Sequence, residues 1–206
     1  MHWYRLRQVG APWGDFGRML VSGMSKRADD GIVLEVERAG PFVPPIDPLW
    51  LGDIPVVTDS FRRSIEESGL RGACFREVRK VRIVRIDWRG WDHNAERPEQ
   101  LPPDGKPENY ILRREHDPAL ADEIGPLWEI YAEQGPGETD ADFARAPGYH
   151  RLDGSGVVVS DRARKWLAAN AAEWVCTERL DVRPGLHRRL VSRLLSSDPG
   201  RGRRTG

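Results

Sequence analysis

Val56–Val78 reads VVTDSFRRSIEESGLRGACFREV, and 102 residues later Val158–Leu180 reads VVSDRARKWLAANAAEWVCTERL. Laid over each other without a gap, the segments share Val-Val, Asp59/Asp161, Arg62/Arg164 and Cys74/Cys176, five identities in 23 positions. So low an identity decides little; the order of chemical types decides more. In both copies an apolar run ends in a hydroxyl residue, an acid follows, then an amphipathic stretch, then a second apolar run. The Val-rich start suits a pleated, half-buried strand. Thr58 and Ser160 stand where a helix N-cap belongs, and Asp59 and Asp161 fall in the first turn, where a carboxylate favours the helix dipole. Phe61 and Ile65 are four apart and share one helical face. Each copy is therefore predicted to be a strand–helix–strand unit, the two units covering residues 54–88 and 156–182.

Outside the copies the pattern weakens. Gly10, Pro12, Gly14, Gly17, Gly23 and Gly31 break any period in residues 1–31, which read as irregular, before a short strand at Ile32–Val36. Five prolines in the seventeen residues 39–55 predict an extended connection, because proline lacks an amide donor and restricts its predecessor. Ala73–Val78 and Val81–Trp88 alternate apolar and charged residues, as half-buried antiparallel strands do. A long polar loop follows over 89–109, then a short strand at Tyr110–Leu112. Asp117–Tyr131 has helical spacing at Leu120, Ile124, Leu127, Trp128 and Tyr131, with Gly125-Pro126 kinking or splitting the helix. Residues 135–148 read as a flexible link. Leu186, Leu190, Val191 and Leu194 predict an amphipathic helix over 183–196, ahead of a disordered basic tail at 197–206. The expectation is one globular α+β domain over 1–182: pseudo-duplicated strand–helix–strand units, mainly antiparallel strands and long Pro/Gly-rich loops.

Thirty-two basic and 32 acidic side chains cancel, so no global field draws the chain to nucleic acid or to an anionic membrane. No stretch approaches the ~18 apolar residues of a spanning helix. The start, MHWYRLRQVG, lacks the apolar core of a signal peptide, which makes a cytoplasmic location the expectation. Neither GxGxxG after a strand nor GxxxxGK[ST] occurs. His2, His93, His116, His150 and His187 are scattered singly, so neither a cofactor nor a metal is expected. Cys74 and Cys176 fall inside predicted strands and read as buried packing thiols rather than nucleophiles. Asp59 and Asp161 read either as duplicated catalytic carboxylates or as first-turn acids of two capped helices.

Charge is distributed unevenly. Glu115–Asp142 holds nine acids and no Lys or Arg, interleaved with Leu127, Trp128, Ile130 and Tyr131. Such a surface, acidic with aromatic anchors, suits a basic macromolecular partner. The residues singled out for partner binding are Trp128, Tyr131, Asp122, Glu123 and Glu129, with Trp88 and Trp91 as a second patch and no catalytic residue. The last 22 residues carry six Arg against one Asp, which leaves open an accessory role at nucleic acid or a membrane. A small-ligand enzyme with a cleft near Asp59, Asp161 or Cys176 is the other alternative.

The run WLGDIPVVTDSFRRSIEESGLRGACFREV, with VRIVRIDW and PENYIL after it, resembles a diffuse family of bacterial immunity proteins encoded beside polymorphic toxins, of myxobacterial and actinobacterial type. GVVVSDRARKWL fits the same picture. The resemblance covers residues 46–112 and 154–182, and its motifs are structural. It implies an α+β cytoplasmic protein that binds one toxin domain and blocks its active site without chemistry of its own, and nothing about which toxin; the acidic stretch is what would complement a basic, nuclease-like one.

Overall fold

The computed structural model describes residues 2–9, 22–48, 54–86, 107–138, 140–146 and 156–180. Over these it has eleven strands: β1 (Trp3–Gln8), β2 (Met24–Arg27), β3 (Leu34–Gly40), β4 (Ile46–Pro48), β5 (Pro55–Thr58), β6 (Cys74–Glu77), β7 (Arg79–Arg85), β8 (Leu127–Tyr131), β9 (Phe143–Arg145), β10 (Val157–Ser160) and β11 (Val175–Leu180). Four helices accompany them: α1 (Asp59–Glu67), α2 (Pro107–Leu112), α3 (Pro118–Ile124) and α4 (Asp161–Asn170). They build an α+β fold of three mostly antiparallel sheets, ordered β11-β1-β10-β9, β4-β5-β8-β6 and β2-β3-β7.

Both predicted units form. Thr58 Oγ1 accepts from Phe61 N at 3.3 Å and Ser160 Oγ from Ala163 N at 3.2 Å, so each hydroxyl satisfies an amide that the helix start leaves open. Gly69, at φ +70°, follows the end of α1 as a residue without a Cβ can. In neither unit do the two strands pair with each other. β8 lies between β5 and β6, antiparallel to both, and β1 lies between β10 and β11 in the same way.

The ladders make the inserted strands equivalent. Val57 pairs Trp128 and Val159 pairs Tyr4. Glu77 pairs Trp128 and its counterpart Arg179 pairs Tyr4. On the far side, Ile46 of β4 pairs Val57 and Phe143 of β9 pairs Val159. Thr58 N donates to Pro45 O at 3.1 Å, and Ser160 N to Asp142 O at 2.8 Å. The duplication thus extends to four strands and a helix, β4-β5-α1-β6 plus β8 against β9-β10-α4-β11 plus β1. The second unit takes its inserted strand from the other end of the chain.

Side chains alternate across a strand, so Val56 and Val57 face opposite ways. Val57 and Val159 share one core with Leu6, Ile46, Phe61, Ile130, Phe143 and Leu167, which welds the two units. Val56 joins Leu34, Val36, Val78 and Leu127, where the three-stranded sheet covers the first unit. Strands covered on both faces read as continuous apolar runs, as VVT and VVVS do.

Several expectations need correction. Residues 1–31 hold β1 and β2, and the two glycines among the described residues there, Gly23 and Gly31, both at φ 67°, stand outside the strands. The strand placed at Ile32–Val36 runs instead from Leu34 to Gly40. Segment 117–131 is not a kinked helix: Gly125, at φ 72°, ends α3, Pro126 cannot continue it, and LWEIY alternates as β8. Tyr110–Leu112 lies in α2, which opens on Pro107. Link 135–148 contains β9. β6 and β7 belong to different sheets, and β7 runs parallel to β3. Cys176 is exposed and Cys74 half-buried, so neither is a core thiol. Trp88, Trp91, most of the 89–109 loop, the helix at 183–196 and the tail at 197–206 lie outside the described residues.

Candidate partner-binding surface

β8 decides where the acidic, aromatic stretch points. Leu127, Glu129 and Tyr131 face the three-stranded sheet, while Trp128 and Ile130 face the shared core. Trp128 and Tyr131 therefore lie on opposite faces of one sheet and cannot form a single patch. Trp128 is half-buried; its Nε1 donates to Asp59 Oδ1 at 3.0 Å, and the Arg62 guanidinium lies 4.8 Å from its ring centroid. Tyr131 carries Arg76 over its ring at 4.6 Å.

Glu129 is internal, with 1% of its side chain exposed. Its two oxygens accept from Arg27 at 2.7 and 2.5 Å, a bidentate pair that ties β2 to β8. Asp122 and Glu123 do reach solvent, on α3. Glu123 lies 3.6 Å from Arg85, which also approaches Asp117 at 3.3 Å. The backbone N–H of Leu120 at the helix start, ahead of Arg85, holds the Asp117 carboxyl below its ordinary value.

The Trp128 arrangement recurs in the second unit, where no local pattern announced it because residues 1–31 read as irregular. Tyr4 Oη donates to Asp161 Oδ1 at 3.4 Å, and Arg164 lies 5.0 Å from the Tyr4 centroid. Both acids are engaged by cations on their own helix: Asp59 by Arg62 and Arg63, Asp161 by Arg164 and Lys165. Hydrogen bonding from Arg62 holds the Asp59 carboxyl below the usual carboxylate range. Lys165, then Arg164, bring Asp161 down to about 2. Each is a first-turn acid whose carboxylate links a ring to its helix.

At the C-terminal end of β8 the chain makes an open cleft of about 390 Å³, where the turn after α1 (Arg71, Gly72, Cys74) meets the segment that leads into β9 (Glu133, Asp140, Ala141). Below it the units are joined through Asp142, 4% exposed. Its Oδ1 accepts from Ser160 Oγ at 2.7 Å, and its Oδ2 from Arg71 N at 3.1 Å and Arg162 Nη1 at 3.2 Å. Burial, helped by the charge of Glu133, pushes the Cys74 thiol up. The aligned copies held one sign of this junction: Gly72 stands opposite Trp174, and at φ +90° a Cβ on it would meet Phe143 O at 2.4 Å.

Exposed carboxylates thus flank β8 at both ends: Asp122 and Glu123 before it, Glu133, Glu138 and Asp140 after it. A five-residue strand separates the two groups by about 14 Å at ~3.4 Å per residue. Among the described residues no group of three or more His, Cys, Asp or Glu is placed to hold a metal ion, and no helix is long and apolar enough to cross a membrane. No family model, no curated protein and no solved structure matches the chain.

Proposed function

We propose that this protein is a non-enzymatic binder of the immunity class, which neutralises a cognate bacterial toxin domain by covering its active site. The observation that carries the reading is the display of the stretch from Glu115 to Asp142. A run of 28 residues without Lys or Arg is threaded through the sheet by β8 and returns to solvent as carboxylates at both of its ends. Glu129, the acid between them, is consumed in anchoring that strand to Arg27. A toxin that acts on a polyanion carries a basic groove, and exposed acids on a rigid frame complement it, raising the association rate and fixing register. Cytoplasmic residence is part of the proposal, since such a partner is met where the toxin acts.

The test uses the toxin domain that this reading places in the gene beside this one. Asp122→Lys with Glu123→Lys, and Glu133→Lys with Asp140→Lys, are each expected to weaken binding by at least about tenfold at low salt, mainly through the on-rate. Neither pair is expected to move the melting temperature by more than a degree or two, because exposed ion pairs contribute little to stability. Calorimetry that finds full affinity in both double variants removes the acidic stretch as the docking surface.

A further inference from the structure

β7 has a strand on one flank only, and a side chain completes its other edge. β3 pairs it within the three-stranded sheet. On the far side Ile83 N donates to His116 Nδ1 at 3.0 Å, and Ile83 O accepts from Asp117 N at 2.8 Å. The imidazole stands where a carbonyl stands in a ladder and takes an amide that an edge strand leaves open. A ring nitrogen accepts only while it carries no proton. The bond therefore fixes His116 as the neutral ring with its hydrogen on Nε2. The residue is exposed, so a proton reaches it directly from solvent.

His116 lies in the turn between α2 and α3, and polar bonds from β7 hold both helices. Lys80 Nζ donates to Ala121 O and, at 2.8 Å, to Gly125 O, at the end of α3. Arg82 Nη1 donates to Leu112 O at the end of α2, and to Arg114 O at 3.4 Å. Arg85 lies 3.3 Å from Asp117 and 3.6 Å from Glu123. The apolar contacts beneath are small: Leu120 and Ala121 on Ile83, and Ile111 on Val84 and Ile86. Other titratable side chains described on these elements are Tyr110 of α2, Asp122 of α3 and Glu37 of β3, with Arg113, Arg114 and Glu115 in the turn. Glu37 is 3.6 Å from Arg82. Cations and carboxylates are mixed there, so the sign of a pH response comes from the bond itself, which exists in one protonation state alone.

We infer that His116 is a pH-sensitive pin: a proton taken up at Nδ1 breaks the bond to Ile83 N and frees the α2–α3 segment from the edge of β7. What the bond contributes is present above the range in which the ring titrates and is lost as pH falls through it. The inference deepens the proposed function by naming a regulation of its docking surface, since α3 displays Asp122 and Glu123. It rests on that reading only for what the movement does.

The chain alone tests the pin. At about pH 7.5 the ring ¹⁵N signals of His116 are expected to show a bare Nδ1 and a hydrogen on Nε2. Hydrogen exchange at the Ile83 amide, corrected for its intrinsic rate, is expected to be about tenfold faster at about pH 5 than at about pH 7.5; one proton permits at most about tenfold per pH unit. His116→Asn sets an oxygen near the place of Nδ1 that accepts at either pH, and is expected to keep Ile83 N protected at both. His116→Ala is expected to leave it fast-exchanging at both. A hydrogen on Nδ1 at the higher pH, or the same pH response in the wild-type and His116→Asn chains, overturns the pin and leaves the immunity reading standing. With the toxin domain, acidification is expected to weaken binding several-fold more in the wild-type chain than in His116→Asn; equal weakening overturns the regulation. A chain whose pin responds but which binds no toxin at either pH supports the pin and overturns the immunity reading.

Discussion

Glu129 and Asp161 are both acids, and their surroundings give them opposite tests. Glu129 sits under the three-stranded sheet with its oxygens on Arg27, whose side chain is only 14% exposed. Removing one partner of a buried pair strands the other charge. Glu129→Ala is therefore expected to cost about 3–5 kcal/mol in urea unfolding at neutral pH; a loss under about 1 kcal/mol contradicts the buried pair. Asp161 lies at the surface, its carboxyl held at about 2 against an ordinary 3.8. A folded-state value below the unfolded one gives stability that is complete above the unfolded value and lost as pH falls through the folded one. The contribution is thus expected to be full above about pH 4 and gone near pH 2. Asp161→Asn is expected to lower stability at pH 7 and to leave a shallower acid limb; identical acid limbs in the two proteins reject the assignment. Sequence marked both residues but could not separate them, because burial is set by what crosses over a strand. For Glu129 that is Arg27, 102 residues away.

The elements that sequence identified well are those whose signals are local. Both capped helices follow from a hydroxyl and an acid placed after a Val-rich run, and the caps differ in a way that tertiary contacts explain. Thr58 accepts from Phe61 N at a half-buried site, so Thr58→Ala is expected to cost about 1 kcal/mol. Ser160 also donates to the enclosed Asp142 carboxylate. Ser160→Ala therefore removes a cap and a buried donor together, with an expected cost nearer 2–3 kcal/mol. Guanidinium unfolding that ranks Thr58→Ala as the more damaging change refutes the role given to Asp142. Segment 117–131 shows where local signals fail. Leu120, Ile124, Leu127 and Trp128 satisfy a helical period by coincidence, since a four-residue apolar spacing across Gly125-Pro126 joins a helix to a strand. β8 is a strand because β5 and β6 each offer it a ladder.

At the scale of the molecule, two units of one pattern share one core and hold each other's strands and turns in place. β1 is the clearest case: it is a central strand, paired on both sides, drawn from the far end of the chain. Deleting residues 1–9 removes both ladders and Leu6 from the common core. The truncated chain is expected to lose cooperative unfolding in both units, because neither can keep its apolar face covered alone. Amide protection that persists in β5 and β8 but is lost in β10 and β11 instead demonstrates independent units. The amino-acid sequence by itself determined the pair of strand–helix–strand copies, their caps, the α+β class and the acidic bias of one stretch. All of these depend on neighbours a few residues apart. Only the tertiary structure decided which strand enters each gap, that Trp128 and Tyr131 point opposite ways, that Glu129 is internal, and that Gly72 lies against the backbone of Phe143 where its counterpart Trp174 stacks on Phe42. Those outcomes are pairings between distant segments, and the free energy that selects among them comes from faces buried together, which no local pattern encodes.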